Sequence, residues 1–121
     1  MRILVVDDEA YAADVLALLL RHAGHDVIVA NDGASGIAVG VANRIDAAVI
    51  DLALGQIDGY DVAKALRTHH GADVRLIAYT GFSKSKVMQR AVANGFDGVI
   101  VKPATLERIV AAMSTRADDG S

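Results

Sequence analysis

Five short, uninterrupted apolar runs recur along the chain, and nothing else in the sequence narrows the fold as much. They are Ile3-Leu4-Val5-Val6, Val27-Ile28-Val29, Ala47-Ala48-Val49-Ile50, Leu76-Ile77-Ala78-Tyr79 (in a strand that begins at Arg75) and Gly98-Val99-Ile100-Val101. Each is too short for a core helix and does not alternate apolar with polar. Such runs read as strands buried on both faces. Between them lie stretches of helical period. Ala10 to Ala23 carries a broad apolar face of Val15, Leu16, Leu18, Leu19 and Leu20. Ala34, Ile37, Ala38 and Val41 follow i, i+3, i+4, i+7 spacing, as do Leu106, Ile109, Val110 and Met113. A helix from Gly59 to His69 turns Val62, Ala63 and Leu66 inward, and another runs to Ala93. Asp58, Ser83 and Thr105 stand where N-caps belong, Asn31-Asp32-Gly33 is a turn and helix-start signal, and Gly24, Gly71 and Gly95 stand where helices stop.

Strand and helix thus alternate five times through short links. The pattern predicts an α/β fold, a doubly wound parallel sheet flanked by five helices. Right-handed crossovers restrict the topology, and the flavodoxin-like order 2-1-3-4-5 sets strands one and three side by side. At 121 residues and 53% apolar content the chain reads as one domain, residues 1–121, with an ordered core to about 115 and a tail over 116–121. A net charge of -3 argues against direct nucleic-acid or membrane-surface binding. No apolar stretch approaches the ~20 residues of a membrane span. With no cysteine, disulfide and thiolate chemistry are excluded. A cytoplasmic location is the expectation.

In open α/β sheets the chemistry sits beyond the carboxyl ends of the strands. Strand one ends in Asp7-Asp8, strand three in Asp51, strand four in Thr80 and strand five in Lys102. Three carboxylates at one rim repel unless one is protonated or a cation lies among them. A hard divalent ion fits an all-oxygen set; Mg²⁺ takes one or two carboxylates, keeps waters and binds phosphate. No His or Cys flanks these strand ends, so zinc is not expected. A carboxylate so placed can attack a phosphoryl group. Lys102 can supply positive charge to the phosphoryl oxygens and Thr80 a hydrogen bond. Each residue alone has a plainer reading. Asp7-Asp8 could be acids favoured by a helix N-terminus, Thr80 a turn hydroxyl, Lys102 a solvated charge. Tyr79 reads as half-buried sheet, Gly81 as a tight-turn residue, and Met88 and Met113 as core or partner surface. His22, His25, His69 and His70 read as surface residues.

Taken together, Asp7-Asp8, Asp51, Asp58-Gly59, Thr80 and Lys102-Pro103 resemble the receiver domain of two-component response regulators, and the resemblance covers nearly all of the chain. It implies that Asp51 accepts a phosphoryl group from a histidine kinase or histidine phosphotransfer protein. It implies that Asp8, Asp51 and the backbone carbonyl of Ala53 bind Mg²⁺, with Asp7 acting largely through water. It implies a phosphoacceptor that promotes its own phosphorylation and slow dephosphorylation, not a turnover enzyme, and a Lys102-Pro103 bond that is commonly cis. A monomer or a phosphorylation-dependent dimer is expected.

Two departures bear on the output. Gly55 stands where receivers often have proline. Val99 stands where many have an aromatic residue, so a swinging ring cannot be the readout here. The expected route is displacement of the Thr80–Ser85 loop and the following helix, acting on a protein partner through the surface of the fourth helix, fifth strand and fifth helix. The expected setting is a stand-alone regulator or a domain of a larger protein such as a hybrid sensor kinase, the Met1-Arg2 start favouring the former. The alternative is a degenerate receiver serving as a constitutive interaction module. An aspartate-nucleophile phosphatase would need an acid two residues after Asp51, where Ala53 stands. A flavin carrier would need a phosphate loop where Asp7-Asp8-Glu9 stand.

Overall fold

The computed structural model describes residues 1–81 and 85–114. β1 (Arg2–Val6), α1 (Ala10–His22), β2 (Asp26–Ala30), α2 (Gly33–Ala42), β3 (Ala47–Ile50), α3 (Gly59–His70), β4 (Arg75–Thr80), α4 (Ser85–Ala93), β5 (Gly98–Val101) and α5 (Leu106–Ser114) follow in order, with a 3₁₀ turn at Gly71–Asp73. All strands are parallel, in the order β2-β1-β3-β4-β5. The expected cap Ser83 and the tail 116–121 lie outside the described residues.

Side chains alternate across each strand, and the core divides accordingly. Leu4, Val6, Ala48, Ile50, Leu76 and Ala78 pack with Val62, Ala63 and Leu66 of α3 and Ala91 of α4. Ile3, Val5, Ala47, Val49, Ile77 and Ile100 pack on the other face with Ala13 and Leu20 of α1 and Ile109 and Met113 of α5. Caps form where the sequence marks them. Asp32 accepts the Ser35 N–H, Asp58 the Asp61 N–H, and Thr105 Oγ1 the Arg108 N–H. Gly24 and Gly95 end α1 and α4 with φ of 97° and 96°, a region closed to most L-residues.

Two helices do not present the faces that their spacing suggests. On α1 the buried residues are Ala13, Ala17 and Leu20, while Val15, Leu18 and Leu19 are exposed. On α2 the buried residues are Gly33, Gly36 and Gly40, with Ile37 and Val39 packed partly buried against the core, while Ala34, Ala38 and Val41 are exposed. The reason is distance. A Cβ on Gly36 would lie 3.0 Å from the Val6 methyls, and one on Gly40 would collide with Leu66. At these glycines α2 approaches the sheet and α3 so closely that backbone forms part of the packing surface, beside Ile37 and Val39. Met113 is core and Met88 is surface. His70 is partly buried, its Nε2 in contact with the Gly40 carbonyl at 2.6 Å.

At the amino edge of the sheet one guanidinium ties three segments together. Arg67 Nε and Nη2 donate to the Gly95 carbonyl, Nη1 to the Gly71 and Val74 carbonyls, and Nη2 also to Asp97 at 2.7 Å. Removing it strands partly buried carbonyls. Arg67→Ala should lower stability by about 2 kcal/mol, and Arg67→Lys should not restore it, because an ammonium cannot span the fork. Urea unfolding of the three proteins measures this; a loss under about 0.5 kcal/mol would be that of an ordinary surface pair.

Candidate functional site

Strand register sets the acids in place. Val6 pairs with Ile50, so Asp7 and Asp51 each follow a registered residue at the carboxyl rim. Both remain tied to the sheet: the Asp51 N–H donates to the Val6 carbonyl at 2.9 Å and the Asp7 N–H to the Ala30 carbonyl at 3.1 Å. One oxygen of each carboxylate is occupied locally. Asp7 Oδ1 accepts the Glu9 N–H, and Asp51 Oδ1 accepts the Ala53 N–H, each at 3.0 Å. The other oxygens meet Lys102, whose Nζ donates to Asp7 Oδ2 and Asp51 Oδ2, both at 3.3 Å. Lys102 arrives from the end of β5, where its N–H donates to the Thr80 carbonyl at 2.7 Å and the peptide to Pro103 is cis. Thr80 is the last residue of β4 and is buried. Asp7 is also buried, whereas Asp8 is exposed.

Oxygens of Asp7, Asp8 and Asp51 lie within 4.8 Å of one another. Hard oxygen donors in such a cluster suit a hard divalent cation and not zinc. Ala53 is exposed in the loop after Asp51, and its N–H donates to Asp51 Oδ1.

The electrostatics follow from burial. Desolvation raises the Asp51 pKa above its ordinary 3.8, and the Asp7 charge adds to this; the Ala53 N–H and Lys102 oppose it. Desolvation works against the Lys102 charge, but Asp51 and Asp7 outweigh it and hold the ammonium above its ordinary pKa. The rim acids thus have a cation among them that belongs to the chain itself.

Several supporting residues carry no motif. Asn31 Nδ2 donates to the Asp7 carbonyl at 3.1 Å and steadies the β1–α1 link; in sequence Asn31-Asp32-Gly33 is only a helix-start signal. The loop from Asp51 to Asp58 is clamped by two glycines. A Cβ on Gly59 would collide with the Asp51 carbonyl oxygen and lie 2.7 Å from Leu52 Cα, and one on Gly33 would collide with the Ile57 carbonyl. Gly81 needs no such explanation, since it has no positive φ and a Cβ there meets nothing within 4 Å among the described residues.

A family model for the response regulator receiver domain matches residues 3–114. The chain is 32% identical over 111 residues to the DNA-binding dual master transcriptional regulator RpaA of Synechocystis, covering 91% of this chain and 46% of that protein. It is 31% identical over 105 residues to the CAI-1 autoinducer sensor kinase/phosphatase CqsS of Vibrio cholerae, covering 85% of this chain and 15% of that one. The chain therefore spans half or less of these relatives. A Burkholderia pseudomallei response regulator, solved with a phosphorylated aspartic acid, a calcium ion and citrate, superposes with a TM-score of 0.90 at 29% identity, covering 98% of this chain and 69% of that one. With the family match over residues 3–114 and the strand order β2-β1-β3-β4-β5, the chain is a member of the response regulator receiver domain family.

Proposed function

We propose that this chain is a phosphorylation-activated switch of a two-component phosphorelay, with Asp51 as the acceptor. The observation that carries the reading is the Asp51 carboxylate held at a rigid strand end, 3.3 Å from the Lys102 ammonium and clustered with Asp7 and Asp8. An Asp51 oxygen attacks phosphorus of a phosphohistidine, the P–N bond breaks, and the departing imidazole keeps the electron pair and takes a proton. Lys102 meets the charge gathering on the phosphoryl oxygens. Thr80 donates a hydrogen bond to them. Asp8, Asp51 and the Ala53 carbonyl would hold Mg²⁺, with Asp7 behind through water. When bound, the ion neutralises oxygens on both partners of the transfer. The donor is a histidine kinase or histidine phosphotransfer protein, and the setting is cytoplasmic; among the described residues no helix is long and apolar enough to cross a membrane. The chain acts as a self-assisting acceptor with slow hydrolysis, not as a turnover enzyme, and works as a monomer or a phosphorylation-dependent dimer.

The output passes through α4 and β5 to a protein partner. Val99 is a partly buried packing residue, so no ring is available to swing behind Thr80. A second connection supports a route through α4. Arg90 Nη2 lies 3.6 Å from Asp58 Oδ2, at the cap of α3, and the guanidinium lies 4.0 Å from the Tyr60 ring centroid. α4 thus touches the helix that begins at the end of the Asp51 loop. Met88, Val92 and Val101 give the same region an exposed apolar surface.

Acetyl phosphate with Mg²⁺ should place one acid-stable, alkali-labile phosphoryl group on Asp51, located by mass spectrometry of peptides. Amide shifts should then change across residues 80–93. Absence of the modification would make the chain a constitutive interaction module; modification with an unmoved α4 would refute the output route.

A further inference from the structure

Tyr79 precedes Thr80 on β4 and points to the opposite face of the sheet, where it packs with the α1/α5 core. There its ring centroid lies 5.1 Å from Lys102 Nζ, inside the ~6 Å over which an aromatic face attracts an ammonium. Its hydroxyl oxygen accepts the Ala104 N–H at 3.3 Å. One side chain therefore touches the ammonium and the backbone two residues beyond it.

We propose that Tyr79 is a positioning residue for phosphoryl transfer: its ring seats the Lys102 ammonium at the acceptor carboxylate while the charges around that ammonium change. The inference rests on Asp51 being the acceptor. The other two partners of Lys102 Nζ, Asp7 and Asp51, are carboxylates at 3.3 Å. One of them becomes an acyl phosphate in the reaction, so its pull on the ammonium is not constant. The lysine stem is long and flexible, and its side chain is 30% exposed, so a loosened ammonium has open water to move into. The ring is untouched by the reaction, and its attraction is the same before and after. The hydroxyl adds one hydrogen bond from the Ala104 N–H, a tie to the backbone separate from the ring's attraction for the ammonium.

Three replacements separate ring from hydroxyl and from volume: Tyr79→Phe, Tyr79→Leu, and Tyr79→pentafluorophenylalanine, which keeps the shape and removes the negative ring face. Two readouts are needed. One is the reactivity of the Lys102 amine toward an amine-directed label without phosphoryl donor, followed by peptide mapping. The other is the limiting rate of Asp51 modification, separated from the acetyl phosphate concentration giving half that rate. Leu and pentafluorophenylalanine should raise labelling and lower the limiting rate by about fivefold, with the half-rate concentration unchanged. Phe should stay within about twofold of the native chain on both counts, since it keeps the ring face. Native labelling and rate in the pentafluoro protein would overturn the seat, as would a Phe protein impaired as much as it. The shape-preserving variant keeps the test decisive if Tyr79→Leu unfolds. Ring-dependent labelling in a native chain that takes no phosphoryl group would support the seat while overturning the acceptor role of Asp51.

Discussion

Asp51→Asn should take no phosphoryl group from acetyl phosphate, and in metal-free buffer at neutral pH it should melt higher than the native chain. The first half follows from losing the carboxylate proposed as acceptor, whose Oδ2 lies 3.3 Å from Lys102 Nζ. The second follows from the direction of the Asp51 pKa. Desolvation, with the Asp7 charge adding to it, raises that pKa above 3.8. The folded state thus binds the proton more tightly than the unfolded chain does. Its stability then falls as pH rises from 3.8 through the higher folded value, and at pH 7 the ionised group weighs against the fold. Asn keeps the shape, drops the charge and leaves Lys102 with Asp7. A gain on the order of 1 kcal/mol is about 4 °C for a domain of this size. The gain should close as pH falls toward 3.8. Mg²⁺ at about tenfold above its dissociation constant should add about 1.4 kcal/mol to the native chain and less to the variant. Scanning calorimetry of both proteins across pH, with and without Mg²⁺, is the measurement. A variant that melts lower in metal-free buffer would mean that the Lys102 pairing outweighs burial and repulsion.

Gly59→Ala should be the most destabilising single-methyl change near the site, and it should slow acceptance as well. Alanine is ordinarily the better helix residue by up to ~1 kcal/mol. Here its Cβ would collide with the Asp51 carbonyl and crowd Leu52 Cα at 2.7 Å. Both are backbone, so no side chain can swing aside. α3 must retreat or the loop bearing Asp51 must move, for a net loss of about 3 kcal/mol and a fall in melting temperature near 12 °C. The rate of Asp51 modification, measured well below the transition, should drop further than the unfolded fraction explains. Gly81→Ala is the matched control, because the space beyond it is open among the described residues; equal losses in the two variants would refute the clamp.

The order of strands, the helices between them and the residues at the rim were legible in the chain because each rests on local chemistry. Short continuous apolar runs read as strands, buried in β1 and β3 and only partly buried in the edge strands β2 and β5. Their ends carry Asp7, Asp8, Asp51, Thr80 and Lys102, and caps such as Asp58 and Thr105 mark where helices begin. Helix faces were less legible. α2 reads as an Ala/Ile/Val stripe yet buries Gly33, Gly36 and Gly40, since a residue with no side chain leaves no mark on a hydrophobic period.

What the sequence by itself determined was the inventory: a parallel sheet in the order 2-1-3-4-5 and a rim holding three acids, a hydroxyl and an amine. Only the tertiary structure decided how those charges coexist. Lys102 lies 95 residues from Asp7 in the chain, and it reaches both carboxylates because β5 closes the sheet one strand beyond β4. The same holds for Tyr79 beside that ammonium and for the glycines that brace the loop after Asp51. Ion pairing, ring contact and close backbone approach depend on distances through space, and no spacing along the chain encodes them.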